Sequence, residues 1–157
     1  MEDSILDKVI AAKLSEEVQQ IRTSDVLAVL LAELQERERE VVSRRFGLQG
    51  KDAQTLKEIG AEFAITRERV RQIESHSLEK LRELLGETRL REHTDPLIHS
   101  TMHILEEHGG ILARHHLWEL VCTLSALSTD DAVARSSFEF ILEQLLQDRI
   151  DALSESR

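Results

Sequence analysis

A chain of 157 residues with 41% hydrophobic and 32% charged side chains can bury one moderate core or two small ones, and is too apolar to be disordered overall. One proline, six glycines and 3% aromatics give few strand or hairpin signals, while Leu, Glu, Ala, Arg and Lys dominate, so the class is mainly α. A single cysteine, Cys122, excludes an internal disulfide framework, and no apolar run approaches bilayer-spanning length.

The start, Met1-Glu2-Asp3-Ser4, carries neither the basic segment nor the apolar run of a secretory signal, so a soluble, cytoplasmic protein with no membrane contact is expected. The net charge of −10 argues at first against a polyanionic partner, but it is spread unevenly. Residues 1–42 hold 5 basic and 10 acidic side chains, 43–72 hold 7 and 4, 73–84 hold 2 and 3, and 85–157 hold 6 and 13. The basic block is therefore confined to 43–72.

In chain order, Ile5, Leu6, Val9, Ile10 and Leu14 recur at helical spacing and predict a short amphipathic packing helix over 4–14. Thr23-Ser24-Asp25 is a cluster of N-cap residues ahead of Val26, Leu27, Val29, Leu30, Leu31 and Leu34, which predicts a second helix. A third, Gln35 to Phe46, places Val41, Val42 and Phe46 inward and stops at Gly47. Thr55 and Glu58 form a capping box that opens a helix containing Ile59, Gly60 and Phe63. Ile65, Val70 and Ile73 follow at the intervals by which a helix-turn-helix buries its second helix against its first, and Gly60 permits the close approach. Gly86 ends the long helix.

Residues 87–94 read as a polar linker before an N-cap and helix-opening proline, Asp95-Pro96. Further helices are predicted at 96–107, stopped by Gly109-Gly110, at 113–124 and at about 129–148, with Ser128 and Asp131 as a capping pair. Arg149 to Leu153 alternates like a short strand. Four segments result: a helix within 1–24, a helix-turn-helix domain at 25–86, a linker at 87–94, and a small acidic helical domain at 95–157 for which a wing is an open alternative.

The chemistry concentrates in Thr66 to Glu74, read Thr-Arg-Glu-Arg-Val-Arg-Gln-Ile-Glu. Thr66 caps a helix whose residues 67, 68, 71 and 72 lie on the exposed side of the first two turns, while Val70 and Ile73 point inward. A DNA-reading helix presents such side chains to base edges in the major groove. Arg67 suits guanine O6 and N7, Glu68 a cytosine amino group, and Gln72 an adenine or thymine edge; each good pair discriminates by about 1–3 kcal/mol. Arg69, Arg71, Lys57 and the helix N-terminus at Thr55 suit phosphates, which fix register without reading sequence. A solvated face of intrahelical ion pairs is the plain alternative.

Leu34-Gln35-Glu36-Arg37-Glu38-Arg39, Arg44-Arg45-Phe46-Gly47-Leu48, Thr55-Leu56-Lys57-Glu58-Ile59-Gly60, the Thr66 to Glu74 run and Leu78-Glu79-Lys80-Leu81-Arg82 together resemble region 4 of the bacterial sigma-70 family over about residues 25–85. The resemblance implies a helix-turn-helix that reads the −35 promoter element and docks on the flap of the RNA polymerase β subunit. It makes Arg67, Glu68 and Gln72 base readers, with Thr55, Arg69 and Arg71 near the DNA backbone. The apolar ridge Ile73, Leu78, Leu81 and Leu85 is the candidate polymerase contact. Two positions depart from the family pattern: Ala64 stands in a turn that favours a residue tolerant of positive φ, and His76 stands where lysine is usual. Nothing here resembles the aromatic-rich region that melts the −10 element, so a complete sigma factor is not expected.

The segment after 95 resembles the winged helix-turn-helix module called HARE, also seen in the polymerase delta subunit. Its acidity disfavours direct DNA contact and suits protein contact or DNA mimicry. Among seven histidines only His99 and His103 have ligand spacing, too few for a metal site, and neither a nucleophile elbow nor a Gly-rich phosphate loop supports catalysis or a cofactor. Trp118 and Cys122 read as core. The expected function is a DNA-binding transcription factor; the alternative is a sigma-like protein-interaction module that competes for polymerase without reading DNA.

Overall fold

A computed structural model describes residues 23–109, 112–125 and 128–155, together with Ile5 and Val9. Those two side chains are exposed, and the rest of the predicted 4–14 helix lies outside the described residues. All regular structure among the described residues is helical: α1 (Thr23–Ala32), α2 (Glu36–Phe46), α3 (Leu56–Phe63), α4 (Arg67–Leu85), α5 (Arg91–Glu107), α6 (Arg114–Ser125), α7 (Ala132–Phe140) and α8 (Gln147–Glu155). A 3-10 turn at Thr88–Leu90 precedes α5, and a π-helical turn at Ile141–Leu145 joins α7 to α8.

The predicted caps organise the first half. Glu38 reaches back to the Gln35 N–H (2.9 Å), and Gly47 ends α2 at φ +63°. Thr55 Oγ1 accepts from the Glu58 N–H (3.2 Å) while the Glu58 carboxylate accepts from the Thr55 N–H (2.7 Å), closing the capping box. Thr66 Oγ1 accepts from the Arg69 N–H (3.1 Å) and starts α4. Thr23 differs: it lies inside α1, is buried, and its hydroxyl donates to the Ala134 carbonyl (3.0 Å).

Two apolar clusters form, and α2 divides them. Val41 joins Ile59 and Val70, flanked by Leu56, Phe63, Ile65 and Ile73, in the small core of the helix-turn-helix. Its neighbour Val42 faces the other way, into a large cluster that links α1, Leu48 and the second half of α4 with Leu97, Trp118, Phe138, Ile141 and Leu146. Cys122 is buried there, and desolvation pushes its thiol up from its ordinary value.

The second half departs from the sequence expectation in three places. Residues 87–94 are not a simple polar connection: Leu90 is buried, the Thr94 hydroxyl donates to its carbonyl (3.1 Å), and these anchors start α5 at Arg91, with Pro96 inside the helix. Asp95 therefore caps nothing. Residues 149–153 are helical instead of extended, because Leu142, Leu146 and Ile150 recur every four residues and pack on the large cluster. Asp131 does cap α7, accepting from the Val133 and Ala134 N–H groups. With no strand among the described residues, the winged alternative has no wing there.

The turn between α3 and α4 imposes two opposite backbone demands. A Cβ on Gly60 would lie 2.8 Å from the Ile65 carbonyl oxygen, so this position must stay bare. Ala64 holds φ +53°, which a residue with a Cβ adopts only at a cost. Gly60→Ala should therefore destabilise the fold by about 1–3 kcal/mol and Ala64→Gly should stabilise it by about 1 kcal/mol, as read in paired urea unfolding curves.

Acid should act on the same unit. The Lys51 ammonium and the Arg44 guanidinium hold the Glu40 carboxyl below its ordinary value, and the Thr55 N–H and hydroxyl do the same for Glu58. A depressed folded-state pKa means stability that is complete above the ordinary carboxylate range and is lost as pH falls through the lowered values. The urea unfolding midpoint should consequently fall less as pH drops through the carboxylate range in Glu40→Gln than in the parent chain.

Candidate nucleic-acid interface

The exposed face of α4 follows from the caps. Thr66 sets the start of α4, so Arg67, Glu68, Arg71 and Gln72 fall on its first two turns, all exposed, while Val70 is buried in the small core and Ile73 packs against it. Arg69 is exposed beside them. The side chains pair along the helix: Arg71 Nε and Nη2 donate to the two Glu68 oxygens (3.0 and 2.7 Å), and Arg69 Nη1 donates to Gln72 Oε1 (3.1 Å). The Arg71 fork holds the Glu68 carboxyl below its usual range, so Glu68 stands as an ionised acceptor.

Lys57 is exposed near the start of α3. Thr55 is already occupied: its N–H and hydroxyl both donate to Glu58. Thr55's own donors are therefore not available to a phosphate, which at this N-terminus would meet the N–H groups beyond the cap with the Glu58 carboxylate beside them.

Sequence reasoning missed the braces that hold the face. Arg44 pairs with Glu40 (3.0 Å) and with Glu62, Lys51 pairs with Glu40 (2.6 Å), and Gln54 Nε2 donates to Glu62 (2.9 Å). These contacts bind the 47–55 loop to α2 and α3. Arg37 and Arg44 also lie over the Phe63 ring, at 5.9 and 5.6 Å. The i,i+4 spacing of Glu40 and Arg44 was a legible signal; the partners across the loop were not. Between α2 and α4, Arg45 meets Glu74 at 3.5 Å, and Glu38 meets both Lys80 (3.4 Å) and His76 (3.6 Å). His76, the departure from lysine, thus faces a carboxylate.

The apolar ridge does not form an open surface. Leu78, Leu81 and Leu85 are 8%, 0% and 4% exposed within the large cluster, and Ile73 belongs to the small one. The preceding helices α1 and α2 and the π-helical turn Ile141–Leu145 pack on α4, and Arg82 Nε adds a hydrogen bond to the Gln144 carbonyl (2.8 Å). Elsewhere, His103 lies 3.7 Å from Glu107, the His115 and His116 ring centroids lie 4.0 Å apart with the planes tilted by 40°, and no group of three metal-ligating side chains converges among the described residues.

Comparison with known proteins agrees with this geometry. Residues 30–83 match the family described as Sigma-70, region 4. The RNA polymerase sigma factor SigA of Clostridium acetobutylicum is 45% identical over 69 residues, 44% of this chain and 18% of that protein. The RNA polymerase sigma factor RpoS of Coxiella burnetii is 44% identical over 68 residues, 43% of this chain and 19% of that protein. The match thus spans less than a fifth of either relative's length, and no solved structure matches. Over residues 30–83 the chain is thus similar to region 4 of sigma-70 factors, and the helix-turn-helix of α3 and α4 lies within the matched segment.

Proposed function

We propose that residues 25–85 read a −35-like promoter element in double-stranded DNA, and that the chain acts by binding, without catalysis, in the bacterial cytoplasm. The observation that carries this reading is the exposed set Arg67, Glu68, Arg71 and Gln72 on the first two turns of a capped helix, within a segment of the matching family. Arg67, Glu68 and Gln72 meet base edges; Lys57, Arg69 and Arg71 meet phosphates. Thr55 takes part through the backbone it caps, since its own polar groups are engaged by Glu58.

Free DNA affinity is low on electrostatic grounds. The basic block 43–72 exceeds its acids by only three charges, several of its cations are already paired, and 85–157 carries 13 acids against 6 bases. Tethering to RNA polymerase supplies the effective concentration that makes such a reader useful. Docking on the β flap belongs to this reading, and use of the ridge Leu78, Leu81 and Leu85 for it requires the segments packed on that ridge to move aside, because those side chains are buried.

Salt-titrated binding to duplexes carrying a −35-like or a scrambled element, with and without the polymerase flap domain, tests the proposal. The parent chain should prefer the −35-like duplex. Arg67→Ala should lose on the order of 5- to 150-fold in that preference, about 1–3 kcal/mol, with little change in salt slope. Equal binding of both duplexes by the parent chain under every condition would exclude sequence reading.

A further inference from the structure

Glu68 poses a physical problem that its neighbour answers. A carboxylate brought into a groove walled by phosphates is repelled, and a Glu side chain 59% exposed has no packing to hold it. Arg71, 57% exposed and three residues on, grips both of its oxygens in a fork. The fork cancels the local charge and restricts the carboxylate's rotation. It also leaves each oxygen a lone pair for a base amino group. As a stability element such an exposed pair contributes little, so its value lies in the geometry it imposes.

We infer that Arg71 is a positioning residue for base recognition, acting through Glu68 by holding the carboxylate as an oriented acceptor for a cytosine amino group. The inference rests on the DNA-reading function proposed above and changes the part Arg71 plays in it. Lysine separates the two roles: it keeps the positive charge that a phosphate contact needs but cannot form the planar two-point fork.

The experiment uses the full chain and duplexes with all four bases at each position of the element. Glu68→Ala first identifies the position that Glu68 reads, as the one where discrimination flattens. Arg71→Lys should then lose about 5- to 10-fold in discrimination at that position alone and keep the parent salt slope. Combined with Glu68→Ala it should cause no further loss there. Without DNA, the Glu68 carboxyl followed by NMR should titrate higher in Arg71→Lys than in the parent, with unchanged helical circular dichroism. Full discrimination in Arg71→Lys, with Arg71→Ala lowering affinity equally for all duplexes and reducing the salt slope, makes Arg71 a plain phosphate contact and overturns the inference alone. A parent chain indifferent to sequence overturns the proposed function and this inference with it.

Discussion

The orientation of α4, and with it the set of side chains it exposes, depends on the approach of the Ile65 carbonyl to Gly60. The space is too small for a Cβ, and it brings the start of α4 directly over α3. From that contact the turn runs through Ala64 in the left-handed region to Thr66, whose cap fixes which side of α4 turns outward. Val70 then has one place to go, against Val41 and Ile59, and Arg67, Glu68, Arg71 and Gln72 are left in solvent. The outward set of side chains is therefore fixed by a backbone contact just ahead of Arg67. The small core has only three fully buried side chains, so the ion-pair braces from Glu40, Arg44, Lys51 and Glu62 carry orientation that packing alone leaves loose.

The partition at α2 joins the module to the rest of the chain. Adjacent valines face opposite cores, so a shift of α2 is felt both at the helix-turn-helix and under the C-terminal helices. Residues outside the family match close the apolar side of the module: Phe138, Ile141 and Leu146 share a cluster with Leu27, Leu81 and Leu85. The acidic half thus shares a cluster with the second half of α4, away from the exposed first turns of that helix.

Local chemistry was legible in the sequence wherever one residue decides the backbone. Thr55 with Glu58, Thr66, Gly47 and Gly60 announce their turns because caps and close approaches depend on a few neighbouring atoms. Ala64 was legible through its departure from the family pattern, and the structure holds it at positive φ. Where burial decides, the reading failed. Leu90 and Thr94 sit in a stretch that looks polar, and their insertion into the core moves the start of α5 upstream of Asp95. Ile150 belongs equally to an alternating and a four-residue pattern, and the core selects the second. The ridge on α4 illustrates the same limit: its period shows that Leu78, Leu81 and Leu85 share a face, but the partner of that face is supplied by distant segments. At the site, residue types and positions on the helix were readable, whereas the pairing of Glu68 with Arg71 and of Gln72 with Arg69 required side-chain geometry.

An NMR footprint tests the central claim most directly: backbone amide shifts of the full chain titrated with a −35-like duplex at low salt. The account predicts shifts confined to the start of α3 and to residues 66–72, fading as salt rises, with α5 to α8 unperturbed. A footprint centred on α5 to α8, or one that leaves Arg67, Glu68 and Gln72 unmoved at saturation, would contradict it.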